Sequence, residues 1–261
     1  MNKCVVITLL ITISIGLGQA QSLFDATHDH FTTDIQNNIY TWSGTRLTKY
    51  STQNTPAGEV LRVFDKPIYG NISSVDANVI KTLVFYQESG KIVLLNNTLS
   101  PIGNELDLFE HDLNSVTLAA LFGNNRIILF DETNQDLYIT DLNLTIVSKT
   151  HCTFSEEIAP FSLQSESDHC IMLVDSLKGV FFFDRFGTFD KTFPIPGIAD
   201  AQVYGDNLIY LKDNSIYLYN RKKLEQSPAF PSFIPNSKEI RKTGPCLYIL
   251  DKNGVMHTIQ E

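Results

Sequence analysis

Basic residues are scarce in this sequence, and the local motifs that carry most enzyme chemistry are absent. Its 20 lysines and arginines stand against 29 acidic residues and form no cluster, and the formal net charge is −9. Such a chain is a poor match for nucleic acid or anionic lipid headgroups, so we expect neither as a partner. There is no nucleophile elbow, phosphate-binding loop, zinc-binding helix motif or paired-cysteine motif. We therefore expect no cofactor, and an enzyme is not favoured.

Cysteines are also few. Of the four in the chain, Cys4 lies in an N-terminal apolar stretch and Cys246 lies within the apolar run CLYIL, where a buried free thiol is expected. Cys152 and Cys170 are candidates for a disulfide in an oxidising compartment. The alternative is that both are buried thiols, because spacing alone does not show that two Cα atoms lie within about 7 Å.

The chain has no apolar run of the roughly 20 residues that a membrane-spanning helix needs. Residues 4–17 are apolar, follow a short basic start and lead into Gly18-Gln19-Ala20, a pattern typical of a cleaved signal peptide. We therefore predict a signal peptide at residues 1–20, a single domain at residues 21–261 and a periplasmic or secreted protein. The alternative is an uncleaved segment that anchors the protein as an assembly factor of the cell envelope.

A short apolar run, a polar turn and a second apolar run recur six times along the chain. The spacings between successive copies are 45, 44, 44, 37 and 39 residues, and the copies start at Ile39, Val84, Ile128, Met172, Ile209 and Tyr248. A near-constant period of this length indicates a repeat architecture. Because the runs are rich in β-branched and aromatic residues and the turns in Asn, Asp and Gly, each copy predicts a β-hairpin.

The period and the strand content predict an all-β fold, a six-bladed β-propeller. Each hairpin then supplies the second and third strand of a blade. We expect the innermost strand to precede the hairpin, at residues 32–35, 73–77, 117–121, 161–164, 200–204 and 238–241. An outermost strand follows it at residues 60–64, 106–109, 145–149 and 189–193.

The sixth copy runs out of chain after its third strand. We expect residues 22–26 to supply the missing strand, so that an N-terminal strand closes the ring and covers two sheet edges. This predicts that removal of residues 21–30 destabilises the fold.

In the fourth copy, Val174-Asp175 is followed by a turn, by residues 180–184 ending in Phe183-Asp184, and by Gly187-Thr188-Phe189. This pattern resembles blades of the NHL type. The whole chain also resembles short secreted propellers of uncharacterised function from Bacteroidetes-type bacteria. The resemblance implies a propeller that serves as a binding platform, while some related propellers hydrolyse or transfer groups.

Polar residues on the inner strands are candidate site residues, because these strands line the channel of a propeller. The predicted inner strands carry Asp34, Asp76 and Asp200, and the sixth carries Glu239 with Arg241. If these groups converge at one mouth of the channel, they form a cation site, an acid–base pair or a pocket for a basic group. The alternative is that they line a water-filled channel and cap strand ends.

Two other sets of residues are candidates for metal binding. Asp25, His28, Asp29 and His30 form a dense titratable group, but an exposed polar connector is favoured because nothing fixes a third ligand. The second set is less favoured still, since oxidising compartments favour disulfides over thiolate sites; it comprises His151-Cys152 and His169-Cys170. No metal is expected.

Ser176 is a candidate for glycosylation. Asp175-Ser176-Leu177 resembles the tripeptide used for periplasmic O-glycosylation in Bacteroidetes, and it lies on a predicted hairpin turn where a sugar has room to project. A tripeptide also occurs often by chance.

These features predict an extracytoplasmic, non-catalytic propeller that binds a protein or peptide partner in the cell envelope, across the face that holds the channel mouth. The alternative is a hydrolase or lyase that acts on a glycan or peptide, with Asp34, Asp76 and Asp200 as acid, base or metal groups. The distance between these carboxylates distinguishes the binding protein from the enzyme. Carboxylates within about 6 Å of each other in a cleft, with shifted pKa values, favour the enzyme, and carboxylates that cap separate strands do not.

Overall fold

The computed structural model of this chain is a ring of six antiparallel β-sheets, and it describes residues 21–22, 27–51, 59–166, 169–228 and 236–260. The predicted signal peptide, residues 1–20, lies outside these ranges. Apart from two 3-10 turns at Pro67–Tyr69 and Phe109–His111, the described residues form only strands, turns and loops. Neither helical turn has the length or the apolar character to cross a membrane, and the described residues contain no other helix.

Each sheet contains four strands and forms one blade. The first described strand, β1 (Gln21–Ser22), belongs to the last blade. The strands of blades 1 to 3 are β2 (His30–Thr33), β3 (Ile39–Ser43), β4 (Arg46–Ser51), β5 (Glu59–Asp65), β6 (Ser74–Ala77), β7 (Lys81–Tyr86), β8 (Lys91–Asn96), β9 (Leu106–Asp107), β10 (Val116–Phe122), β11 (Arg126–Asp131), β12 (Asp136–Asp141) and β13 (Ile146–His151).

Blades 4 to 6 continue the same order, with the inner strand first. Their strands are β14 (Ser162–Glu166), β15 (Cys170–Asp175), β16 (Gly179–Asp184), β17 (Phe189–Phe193), β18 (Ile198–Tyr204), β19 (Asn207–Lys212), β20 (Ser215–Asn220), β21 (Glu225–Pro228), β22 (Ser237–Thr243), β23 (Cys246–Asp251) and β24 (Met256–Gln260). The predicted all-β, six-bladed propeller is therefore confirmed.

The six predicted hairpins are the second and third strands of the blades. In blade 5, for example, Lys212 pairs with Ser215 on either side of the predicted turn. The inner strands differ from their predicted bounds by at most two residues at either end. In blade 2 the outer strand is only two residues long, because the chain enters a 3-10 turn at Phe109–His111.

Asn and Asp side chains shape the turns. The last residue of the third strand in blades 2 to 5 is Asn or Asp, and its side-chain oxygen accepts the backbone N–H two residues further on, which fixes the turn. The four residues are Asn96, Asp141, Asp184 and Asn220. Part of the acidic surplus of the sequence therefore serves the local geometry of the turns.

The hydrophobic core lies between the blades. Because side chains alternate along a strand, Ile171 and Leu173 of β15 pack against blade 3, and Met172 and Val174 pack against blade 5. One cluster of buried apolar side chains lies between each pair of neighbouring blades, around the whole ring. Full burial of a Leu, Val or Met side chain stabilises a fold by roughly 1.5–3 kcal/mol, so these clusters hold the ring together.

The ring is closed by the N-terminal strand β1. Gln21 pairs with Thr258 of β24 and Ser22 pairs with His257, so β1 is the fourth strand of blade 6. The strand lies one residue earlier than predicted, and residues 23–26 lie outside the described part of the chain. The backbone N–H of His28 then donates to the carbonyl of Gly254 at 2.9 Å. Gly254 has φ of 81°, and a Cβ there would lie 2.8 Å from the His28 carbonyl, so this approach needs glycine.

Candidate functional site

The inner strand of every blade lines a central channel, which contains a cavity of about 450 Å³. Because residues i and i+2 of a strand share a face, each inner strand carries two levels of side chains on the face that is turned toward the next blade. The first ring, nearer the start of the inner strands, consists of His30, Ser74, Leu118, Ser162, Asp200 and Glu239. The second ring, two residues further along each strand, consists of Thr32, Asp76, Gln164, Gln202 and Arg241, and the equivalent residue of blade 3, Ala120, is buried between blades 3 and 4.

Three ring carboxylates also join neighbouring blades. An inner strand is the edge of its sheet, so some of its backbone N–H groups have no strand partner and need another acceptor. A carboxylate of one blade accepts such an N–H from the inner strand of the next blade. On that strand, the donor is the residue that directly follows the position equivalent to the carboxylate. The three bonds run to Asp76 from Leu121 (2.8 Å), to Asp200 from Ile240 (2.8 Å) and to Glu239 from Phe31 (3.0 Å).

Arg241 is the cation at the centre of the site. Its Nη1 atom lies 2.5 Å from Oδ2 of Asp200, and the side chains are 15% and 4% exposed. Burial lowers the pKa of Arg241, but the carboxylates of Asp200 and Glu239 outweigh it and hold the pKa above its ordinary value. Nη1 also donates to the carbonyl of Ile240 at 2.5 Å, which leaves the Nε and Nη2 donors without a partner among the described residues.

Glu239 lies beside an aromatic stack at the start of the channel. Its Oε1 atom is 2.6 Å from Nδ1 of His30. The imidazole of His30 in turn stacks on Trp42, with ring centroids 5.4 Å apart and an interplanar angle of 18°. Lys238 adds a second cation 3.9 Å from Oε1 of Glu239, so this carboxylate is surrounded by basic groups.

Asp76 differs from the other two carboxylates because it has no cation within 4 Å among the described residues. Burial raises the pKa of its carboxyl group, and the N–H groups of Leu121 and Ala77 and the charge of Arg241 offset only part of that effect. Ser74 lies two residues earlier on the same face, and its hydroxyl group is buried without a hydrogen-bond partner in the described structure. The indole N–H of Trp42, which is 7% exposed, is likewise buried and unpartnered there.

The prediction that Asp34 reaches the channel is corrected. Strand β2 ends at Thr33, and Asp34 instead begins the loop to β3. Its carboxylate accepts the backbone N–H groups of Gln36 and Asn38 at 2.9 and 3.0 Å and the hydroxyl of Tyr40 at 3.0 Å. The side-chain amide of Asn38 donates a fourth hydrogen bond to it at 2.7 Å, so the carboxylate is satisfied inside blade 1 and Asp34 is a turn residue. Asp76, Asp200, Glu239 and Arg241 all line the channel cavity.

The predicted disulfide is also corrected, because Cys152 and Cys170 are free thiols. Cys152 packs between blades 3 and 4, whereas Cys170 packs between blades 4 and 5. The two thiols thus lie on opposite faces of blade 4. Burial raises the pKa of Cys152 to about 12. Cys246 is a free thiol at the cluster between blades 6 and 1.

Among the described candidates for metal binding, His30 lines the cavity and the others do not. Asp25 lies outside the described residues, and His151 is bonded to Asp136 at 3.0 Å. No three potential metal ligands cluster within the part of the chain that is described. Ser176 is exposed on the β15–β16 turn, and its glycosylation stays a prediction.

Several residues of the cavity were not predicted from the sequence. Trp42 lies in the first hairpin and Ser74 in a predicted inner strand, but neither was named as a site residue, and His30 was named only as a possible metal ligand. Counting back from the hairpin identifies the first ring, because each of its members lies 11 or 12 residues before its partner in the second strand. Examples are Ser74 with Phe85 and Asp200 with Leu211.

Comparison with known proteins supports the fold and leaves the family open. No protein-family model matches the sequence, and no curated protein matches it. The WD40 domain of Pan2 from Neurospora crassa is similar in structure, with a TM-score of 0.65 and 11% identity over 94% of this chain and 82% of that one. A streptogramin B lyase is similar at a TM-score of 0.63 and 11% identity, over 88% and 78% of the two chains.

A third similar structure is BBS1N in complex with ARL6DN, with a TM-score of 0.58 and 16% identity over 90% of this chain and 79% of the other. These three structures include a domain in a protein complex and a lyase, so the shared fold carries different activities. At such identities the comparisons establish that this chain is a β-propeller.

Proposed function

We propose that this protein is an extracytoplasmic, non-catalytic binding propeller that holds a protein or peptide partner of the cell envelope at the entrance of its channel. The observation that carries the proposal is that the predicted channel carboxylates accept backbone hydrogen bonds. Asp76, Asp200 and Glu239 each accept a backbone N–H of the next blade, and Asp34 closes a turn. These groups hold the ring together around a cavity, and this arrangement favours binding over the alternative of a hydrolase or lyase.

We place the entrance at the end where the inner strands begin, because side chains are exposed there. Three residues that line the cavity there have partly exposed side chains: His30, Phe161 and Lys238. Leu177, on the β15–β16 turn, lies at the same end of blade 4 and is 78% exposed. Because Asp175 accepts the N–H groups of both Ala159 and Leu177, the turn and the segment before Phe161 are held together. Phe161 and Leu177 thus offer apolar contact beside the opening.

The location outside the cytoplasm rests on the signal-peptide pattern of residues 1–20. The NHL-like pattern of blade 4 fits the same proposal, since the resemblance implies a binding platform. Expression in a host with a periplasm, followed by fractionation and intact-mass measurement, tests the location. A periplasmic product that begins at Gln21 supports it, and a cytoplasmic or membrane-bound product with residues 1–20 retained contradicts it.

Partner capture tests the binding role. The tagged mature protein is mixed with an envelope extract of the source organism, and recovered proteins are compared between wild type, Leu177→Asp and Phe186→Asp. Phe186 is 65% exposed on the β16–β17 turn, at the opposite end of the same blade, so it is a matched control. We expect a stoichiometric partner that is lost with Leu177→Asp and kept with Phe186→Asp. Equal recovery by all three chains contradicts binding at the entrance, and glycan or peptide turnover by the purified protein supports the enzyme instead.

A further inference from the structure

The charges that line the channel cavity do not balance. Asp200 is paired with Arg241 at 2.5 Å, Glu166 with Arg221 at 2.7 Å, and Glu239 with Lys238 at 3.9 Å. Asp76 is the one cavity carboxylate of the described structure that lacks a cation within 4 Å. Asp76 is partly buried, and an ionised carboxylate that is withdrawn from water is costly unless a cation accompanies it. A ligand that brings a positive charge into the cavity removes this cost.

The unpartnered groups around Asp76 define the rest of the ligand. Ser74, on the same strand face, offers a buried hydroxyl group as a second acceptor. The indole N–H of Trp42 and the Nε and Nη2 groups of Arg241 are donors without partners among the described residues. Leaving a buried donor such as the indole N–H of Trp42 without a partner is costly, so an acceptor atom of the ligand is favoured there. The cavity therefore offers acceptors for a cation and donors for a nearby oxygen.

A metal ion fits this site poorly. Divalent cations take several oxygen ligands, and no three potential metal-binding side chains cluster in the described part of the protein. An ammonium group needs only a few acceptors and one counter-charge. The volume of about 450 Å³ lies within the range of small-ligand pockets.

We infer that the cavity binds the free amino terminus of a peptide, with the ammonium group at Asp76 and Ser74 and the first carbonyl oxygen at the donors of Trp42 or Arg241. This inference rests on the proposed binding role and names the chemistry that the channel recognises. The opening beside Phe161 and Lys238 gives the rest of the peptide a way out over the face that carries Leu177. The same ammonium chemistry also occurs in free alkylamines, which lack the adjacent carbonyl oxygen.

Trp42 is the single tryptophan of the chain, so its fluorescence reports on this cavity alone. Leucinamide, which has both an ammonium group and an amide carbonyl, is titrated into the mature protein, with N-acetyl-leucinamide, n-butylamine and magnesium chloride as separate probes. We expect a saturable change with leucinamide, at least tenfold weaker binding of butylamine, and no binding of the acetylated amide. Stronger binding of butylamine, or of magnesium ions, overturns the peptide terminus as the ligand.

Three variants locate the binding site. Asp76→Asn keeps an oxygen for the N–H of Leu121 and removes the charge, and we expect it to weaken leucinamide binding by about 10- to 100-fold, as for a lost charge-assisted hydrogen bond. Ser74→Ala is expected to weaken binding several-fold. Glu88→Gln removes a charge from the exposed β7–β8 turn of the same blade and is expected to have no effect.

Circular dichroism and melting curves confirm folding of each variant. Unchanged binding by a folded Asp76→Asn protein overturns the inference. If no amine binds while Leu177 still controls partner capture, the channel inference fails and the proposed function stands. If leucinamide binds but no partner depends on Leu177, the platform fails and the channel site stands.

Discussion

Arg241 and Asp200 form a buried ion pair that joins the inner strands of blades 5 and 6. The guanidinium Nη1 lies 2.5 Å from Oδ2 of Asp200, and the same oxygen accepts the backbone N–H of Ile240 at 2.8 Å. One carboxylate thus binds both a charge and a strand edge of the neighbouring blade. The carboxylate of Asp200 therefore stabilises the folded protein, because its removal leaves both the buried guanidinium of Arg241 and the N–H of Ile240 without a partner.

We expect Asp200→Ala to reduce the free energy of unfolding by about 3–5 kcal/mol, the usual cost of breaking a buried ion pair from one side. Urea unfolding at pH 7 measures it. Asp206→Ala in the same blade is the control, because Asp206 pairs with Lys222 at 2.9 Å where both side chains are more than half exposed. That change is expected to cost less than about 1 kcal/mol. Equal losses for the two variants contradict a special role for the Asp200 pair.

The period of the hairpins was sufficient to predict the fold, because most of the apolar runs are strands buried on both faces, as in β7, β11 and β15. The inner strands were harder to place, since the loop between the first and second strand varies in length. In blade 1 this loop runs from Asp34 to Asn38, whereas in blade 5 Tyr204 pairs with Asn207 across two residues. The longer loop moved the predicted inner strand of blade 1 by two positions. Asp34 was therefore taken for a channel residue and His30 was missed.

Charges and thiols on neighbouring blades could not be paired from the sequence. Which ring carboxylate meets a cation depends on the rotation of one blade against the next, so the Asp200–Arg241 pair and the unpaired state of Asp76 follow only from the structure. Cys152 and Cys170 are 18 residues apart, yet a whole sheet separates them because they lie on opposite faces of blade 4. The number of residues between two cysteines does not show whether they lie on the same face of a β-sheet.

The thiols are expected to stay reduced and unreactive in the folded protein. Cys152 is buried and its pKa is raised to about 12, so little thiolate forms at pH 8. We expect its reaction with a thiol reagent such as DTNB at pH 8 to be at least about tenfold slower in buffer than in 6 M guanidinium chloride. We also expect the melting temperature to be the same within about 1 °C with and without dithiothreitol, because no disulfide is present to be reduced. A Cys152–Cys170 disulfide would instead give roughly 3 kcal/mol of reductant-sensitive stability.

Closure of the ring by β1 predicts a specific loss on truncation. Without residues 21–26, strand β24 becomes an exposed sheet edge at Thr258 and His257. We expect a loss of roughly 1–3 kcal/mol, with a fall in melting temperature of about 2–4 °C for each kcal/mol, and concentration-dependent light scattering. A chain that lacks only Glu261, beyond the end of β24, is the control and is expected to melt as wild type does. Identical melting of the two truncated chains argues against closure by β1.

Asp76 is expected to lower stability at neutral pH in the absence of ligand. Burial raises the pKa of its carboxyl group above 3.8, so between that value and the folded-state pKa the unfolded chain releases a proton that the folded chain keeps. The unfolded state then binds fewer protons, and stability falls as the pH rises through this window. Asp76→Asn lacks this dependence and keeps an acceptor for the N–H of Leu121. We therefore expect its stability relative to wild type to increase from pH 4 to pH 7.

Asp107→Asn in the same blade provides a control of opposite sign. A hydrogen bond from Lys91, whose Nζ lies 2.5 Å from Oδ2, holds the pKa of Asp107 below its ordinary value. Asp107 therefore contributes stability above the unfolded-state pKa, and that contribution is lost as the pH falls through the folded-state pKa. Relative to wild type, Asp107→Asn should lose stability as the pH rises toward neutral, while Asp76→Asn gains it. Urea unfolding of the three proteins at pH 3, 4, 5, 6 and 7 measures both trends. The contrary outcome is that Asp76→Asn is less stable than wild type by the same amount at every pH. In that case the carboxylate only joins blades 2 and 3 by its hydrogen bond. Its charge then has no measurable effect on the free energy of unfolding, and a cationic ligand has no such cost to relieve.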